Sequence, residues 1–312
     1  MAQASGTLAG QKQRQQNKLW QRMFRYKWGY LFVAPWIVLF LVFTLYPLAL
    51  SFYLTFFDYT FTNPERLTFV GVGNWIRGIT DPLFWLALWN IVYNQVVFIV
   101  LKNGLGLGTA LMLQRASFMG RLFRTIYFMP VLTSVVVLMT IGGYLASPTG
   151  PLQDFLVGQG ALDTPVYWQF TRWLPMPIIA LINTWKWFGI STIILLAGLY
   201  GVDEQLYDAA AIDGAGSWQQ FLYITWPQLQ PQIFFLLIID VINGLQMFTE
   251  VYVLLGLDGG DKYQALTPVL HIYAQAFDRS NIGYASALGL LLAGIIALLT
   301  WLQFKYVQRD VT

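Results

Sequence analysis

Five side chains interrupt the apolar run that ends near residue 256: Asp240, Asn243, Gln246, Met247 and Glu250. At about 100° per residue they share an arc of about 120° on a helix. Carboxylates and amides accept hydrogen bonds from hydroxyl groups, and the neighbouring Phe248 and Tyr252 offer ring faces to apolar C–H surface. This set suits a polyhydroxyl solute in a wet cavity; the same face could instead bond to neighbouring helices. A second set, Asn183, Trp185, Lys186 and Trp187, places a cation within another apolar run. Lys186 pairs with Asp240 or Glu250, the simpler reading, or holds an anionic solute. Lys102, beside Asn103, is a further cation in an apolar stretch and receives no function. Covalent chemistry has little to work with: there is no Cys and a single His, His271. No metal is expected, and no G-x-x-x-x-G-K-[ST] run is present to cradle a phosphate. Gly104 and Gly108 read as small residues for close helix packing.

The elements that must position these groups follow from composition. Of 312 residues, 57% are hydrophobic and 11% charged, where a soluble domain carries roughly 25% charge. That excludes a water-facing globule, a disordered tail and a nucleic-acid-binding domain. An uncharged run from Trp28 to Phe57 covers 30 residues, more than the roughly 20 a helix needs to cross hydrocarbon. It reads as a retained membrane helix, preceded by a basic cytoplasmic segment at 1–29 with no acid in it. Five more spans are predicted at about 86–113, 125–146, 177–200, 232–256 and 282–304, within a transmembrane domain of residues 30–312. The runs are too long and unalternating for barrel strands, so the expectation is an all-α polytopic membrane protein of six helices. With the N-terminus inside, eleven of the 18 basic residues lie on the cytoplasmic side and five on the outer side, Lys102 and Lys186 being intramembrane. Both termini are therefore expected in the cytoplasm.

One inner loop, at about 201–231, departs from this rule: it has no Lys or Arg and carries Asp203, Glu204, Asp208 and Asp213. Its segment Gln205–Ile212 is a short helix of good formers with acids near its positive end. Gly214 then permits a sharp turn, and Pro227 and Pro231 punctuate entry to the next span. On physics alone the loop is either a solvated connection or a small helix suited to a partner's groove.

The loop resembles the EAA loop of importer-type ABC permeases, E-A-A-x-x-D-G-A followed by Phe, Ile and two spaced prolines. Ala209, Ala210, Asp213, Gly214, Ala215, Phe221, Ile224, Pro227 and Pro231 match, and Asp208 stands where the family most often has Glu. Weaker likenesses extend over most of the chain. They are Phe69–Trp75 with Asp81–Trp85, Trp185–Gly189 with Ala197–Leu199, and Ile282–Leu288; Gly259-Gly260-Asp261 departs from the usual Gly-Gly-Pro. In this order they are similar to the maltose-type first permease subunit of carbohydrate importers.

The resemblance implies the type I ABC importer permease fold and a carbohydrate pathway, with Asn243, Gln246, Glu250, Asn183 and Lys186 as candidate contacts. It also implies a coupling helix (Asp208, Ala209, Ala210, Asp213, Gly214, Ala215) that docks on a cytoplasmic ATPase dimer. The other implied partners are a second, homologous permease and a periplasmic or lipid-anchored binding protein, in a bacterial or archaeal inner membrane surrounded by lipid. The chain itself would be no enzyme and bind no cofactor; ATP and Mg would be used by the ATPase. Alternatives are import of a polyol or glycerol phosphate, or a self-sufficient proton-coupled secondary transporter using Asp240 or Glu250.

Overall fold

The computed structural model describes residues 27–60, 62, 65, 67–115 and 125–307. The basic segment 1–26 and Arg66, Arg121, Arg124 and Arg309, on which the sidedness argument draws, lie outside them. Five described helices are long and apolar enough to span a membrane: Gly29–Leu54, Pro82–Gln114, Pro175–Tyr200, Ser217–Leu245 and Ile282–Tyr306. A sixth arises if Thr125–Leu132 and Val135–Leu145, bent by 102°, are one broken span.

The described residues up to Leu54 form one compact unit. It comprises α1 (Lys27–Phe40), a π turn at Leu41–Leu45 and α2 (Tyr46–Leu54). The π turn has a local cause. Pro47 has no N–H and its ring would meet the carbonyl four residues back, and the helix widens just before it, with Tyr46 N–H donating to Leu41 O. None of the Gly29–Leu54 helix is buried, consistent with an all-apolar surface meant for lipid or protein.

The rest of the chain is a second unit. It opens with a short antiparallel pair, β1 (Phe57–Asp58) and β2 (Thr68–Phe69), in register Phe57↔Phe69. Then follow α3 (Gly73–Thr80) and α4 (Pro82–Arg115). Asp81 caps α4: its Oδ1 accepts from Leu83 N–H at 2.8 Å, with Pro82 placed where a missing N–H costs nothing. Next come α5 (Val135–Leu145), α6 (Pro151–Gly158) and α7 (Pro175–Tyr200). The chain closes through α8 (Glu204–Ile212), α9 (Ser217–Gln220), α10 (Trp226–Leu245), α11 (Thr249–Leu255), α12 (Pro268–Tyr273) and α13 (Ile282–Val307). A π turn at Phe221–Thr225 joins α9 to α10, again two residues ahead of a proline, Pro227. Helix therefore runs from Ser217, and Pro227 and Pro231 sit within the fifth span instead of marking its entry.

The long helices α4 and α7 pack side by side. A Cβ on Gly106 would lie 2.6 Å from Ser191 Cβ, so this glycine sets their approach. Gly104 and Gly108, the pair expected to do so, have open space around them. Thr109 and Thr192 hydroxyls bond across the same seam at 2.6 Å. One core gathers Phe84, Ile91, Ile179, Leu266 and Leu288 around α4, α7, α12 and α13. A second joins Ala110, Leu195, Leu199 and Leu229 at the other end of α4 and α7.

Candidate functional site

A cavity of about 370 Å³ lies among α4, α7, α10 and α11, walled by Gln95, Lys102, Asn183, Asn243 and Glu250 with rings from Phe98, Trp187 and Phe235. Three of the residues expected on the pathway, Asn183, Asn243 and Glu250, line it. Gln246 does not: it is exposed, and its Nε2 donates back to Ile242 O at 3.0 Å. The reason is a break in the expected span. α10 ends at Leu245, closed by Gln246 N–H on Asn243 O and Met247 N–H on Gly244 O. Phe248 then leaves helical geometry at φ −136°, ψ −60°. Residues 240–250 therefore do not share one continuous helical arc, although Asp240, Asn243, Met247 and Glu250 still meet at the cavity. Phe248 and Tyr252 stack on each other with centroids 5.3 Å apart and are not among the lining rings.

The lysines depart furthest from expectation. Asp240 does not pair with Lys186; its Oδ1 receives the Lys102 ammonium, and side-chain exposure is only 4% for Lys102 and 6% for Asp240. Asn103 Nδ2 donates to the other carboxylate oxygen at 3.1 Å, and Ser191 Oγ donates to Asn103 Oδ1 at 2.9 Å. One polar network thus ties α4, α7 and α10 together. Lys186 instead turns to the break after the Thr125–Leu132 helix. It donates to Val131 O at 2.9 Å, to Pro130 O at 3.5 Å and to Thr133 O. No ion pair joins Lys186 to Glu250 among the described residues, and the lysine acts on that acid only through space.

Two groups in the cavity wall escaped sequence reasoning. Gln95 is an ordinary amide in a hydrophobic run, and Lys102 was left without a role. Only the adjacency of Lys102 and Asn103, two polar residues facing neighbouring helices, signalled a network.

The acidic loop folds as a short helix capped at both ends. Asp203 caps α8, its Oδ1 accepting from Gln205 N–H at 3.0 Å, and Glu204 occupies the first turn beside the positive helix end. At the far end Ala215 N–H bonds Ala210 O at 2.8 Å and Gly214 N–H bonds Ala211 O at 3.1 Å. That is a Schellman closure, which needs a left-handed residue, and Gly214 supplies it at φ +80°. Tyr207 and Thr225 hydroxyls, 2.8 Å apart, tie α8 to the π turn at the foot of α10. Asp208, Ala209, Asp213 and Gly214 are exposed, Ala210 and Ala215 half-buried, and Ile212 is 87% exposed. An apolar tip held this far into solvent suits a protein partner.

A third polar cluster sits at the N-terminal end of α4. Asp81 Oδ2 accepts the Tyr284 hydroxyl at 2.5 Å and lies 2.8 Å from His271 Nε2. The Arg77 guanidinium stacks 3.9 Å over the Tyr284 ring. Burial raises the Asp81 carboxyl, and the bonds from Tyr284, His271 and Leu83 N–H with the His271 charge outweigh it, leaving its pKa below the ordinary value. His271 thus has a carboxylate partner, and among the described residues no group of three metal-ligating side chains occurs.

Comparison with known proteins places this geometry. Residues 102–311 match the family described as binding-protein-dependent transport system inner membrane component. The lactose transport system permease protein LacF of Rhizobium radiobacter is 35% identical over 284 residues, 90% of this chain and 94% of that one. The arabinooligosaccharides transport system permease protein AraP of Bacillus subtilis (strain 168) is 32% identical over 92% of this chain and 91% of its own. A bacterial ABC transporter that imports the acidic polysaccharide alginate shares the fold, with a TM-score of 0.79 over 95% of this chain and 100% of that chain at 22% identity. The chain is a multi-pass permease subunit and belongs to the family of inner membrane components of binding-protein-dependent transport systems.

Proposed function

We propose that this chain forms half of the transmembrane pathway of an ATP-driven carbohydrate importer. The cavity carries the reading: carboxylate and amide acceptors stand beside Phe98, Trp187 and Phe235 inside a helix bundle, the two kinds of surface a sugar presents partners for. The relatives named for lactose and arabinooligosaccharides support the same substrate class. Asn243, Glu250 and Asn183 contact the passing sugar, Gln246 meets it at the exposed end of α10, and Lys186 shapes the wall from behind.

The permease performs no covalent step. An external binding protein delivers the sugar, a second homologous permease completes the pathway, and α8 docks in a groove of a cytoplasmic ATPase. ATP and Mg are bound and used there, and closure of the ATPase dimer is transmitted through α8. The Tyr207–Thr225 bond passes the motion to α10, whose far end carries Asp240 and Asn243 in the cavity wall. In this arrangement both termini are cytoplasmic and the exposed helices face lipid.

The test is uptake into proteoliposomes holding the whole transporter with ATP inside and binding protein outside. ATP-dependent accumulation of a saccharide supports the reading. Accumulation driven by a proton gradient without ATP would replace it with a secondary transporter.

A further inference from the structure

We infer that the cavity selects uncharged saccharides and turns away anionic ones, with Glu250 as the discriminating side chain. The inference rests on the carbohydrate reading above and adds a substrate class to it. An anionic sugar needs a free cation or a surplus of donors. Neither described membrane lysine is available: Lys102 is held by Asp240, and Lys186 is spent on three main-chain carbonyls. What the wall offers instead is acceptors.

Asn183 is 97% buried, since only 3% of its surface is exposed. Its Oδ1 is buried without a partner. Gln95, 7% exposed, repeats the pattern. Its Nε2 donates to Asn94 Oδ1, whose own amide is fixed on Met176 O, so Gln95 Oε1 is the orphan. Both oxygens are sealed within the helix packing, so neither is the acceptor that a solute in the cavity meets first. Of the charged residues in the wall, Lys102 and Asp240 neutralise each other, and Glu250 has no ion-pair partner among the described residues, so the charge left in this largely apolar cavity is negative. A uronate or phosphate brought here would meet Glu250 as a desolvated like charge, worth several kcal/mol against binding, on the order of a hundredfold or more in affinity.

The experiment uses the intact transporter purified without its binding protein, so that selection by that protein does not enter. Binding is followed through Trp187 fluorescence, compared with a Trp187→Phe control, for neutral probes and their acidic counterparts: lactose against lactobionate, and maltotriose against trigalacturonate. At least one neutral probe should bind about a hundredfold more tightly than its acidic counterpart, and Glu250→Gln should shrink that ratio at least tenfold while the neutral probe still binds. Equal or tighter binding of the acidic probes by the native protein would overturn the inference, as would binding of no neutral probe. Failure of ATP-driven uptake for every saccharide would overturn the carbohydrate reading instead, so the two are read separately.

Discussion

Lys186 on α7 donates to the main-chain carbonyl of Val131 at 2.9 Å, and that contact explains how the chain turns by 102° within an apolar stretch. Carbonyls at a helix end have no intrahelical donor, and hydrocarbon supplies none. The Lys186 ammonium gathers three of them, from Pro130, Val131 and Thr133, as a cation at any helix C-terminus would. Replacing Lys186 with Met removes the donor to Val131 O and Thr133 O, while Pro130 O keeps its bond from Thr133 N–H, and should cost about 2–3 kcal/mol. Thermal unfolding of the detergent-solubilised protein reads this as a lowered midpoint, with Lys186→Arg closer to wild type. An unchanged midpoint for the Met variant would mean that water or another donor reaches the break.

The Lys102–Asp240 pair predicts a different pattern. Each ion is buried, so removing one strands the other, and Lys102→Met or Asp240→Asn alone should cost about 3–5 kcal/mol. In the double variant no charge is stranded, and the amide oxygen introduced by Asp240→Asn can still accept from Asn103, so the double should be more stable than either single. A double-mutant cycle in unfolding free energy measures the coupling. Simple additivity would show that the two charges do not depend on each other.

Much of this architecture is legible in the sequence because hydropathy adds up locally. The first, second, fourth and last spans fall where long apolar runs stand. What hydropathy cannot see is chain direction: the turn at Pro130–Ser134 lies inside an apolar stretch, and only the proline hints at it. The break at Gln246–Phe248 carries no Pro or Gly at all, so a helical wheel ran through it and put Gln246 on the cavity face. The loop helix was readable since its caps, Asp203 and Gly214, act within a few residues. Lys102 and Asp240 are 138 residues apart, and no local pattern chooses between Lys102 and Lys186 as the partner of a given acid. Tertiary packing made that choice, and with it the charge of the cavity.

The Asp81 cluster predicts an acid limit. Its carboxyl has a pKa below the ordinary 3.8, so the folded state favours the ionised form. The stability this contributes is present above pH 3.8 and is lost as pH falls through the lower, folded-state value. Asp81→Asn removes that contribution at neutral pH and should lower the unfolding midpoint by about 2–4 °C. The gap between variant and wild type should narrow as pH falls below 3.8. A gap that stays constant from neutral to acidic pH would assign the loss to shape, not charge.

Gly214 offers the sharpest test of coupling because its requirement is conformational. At φ +80° a β-branched residue is strained, whereas Asn visits the left-handed region readily. Nothing lies within 4 Å of where a Cβ would sit, so steric contact within this chain is not the obstacle. Gly214→Val should therefore unwind the Schellman closure at the end of α8 and abolish ATP-driven uptake, while Gly214→Asn retains most of it. Asp208→Lys leaves the helix intact and reverses an exposed charge on the helix proposed to dock. It should cut uptake while protein level in the membrane stays normal. If Gly214→Val and Asp208→Lys both transport at the native rate, α8 is a solvated connection and the proposed docking role of this helix fails.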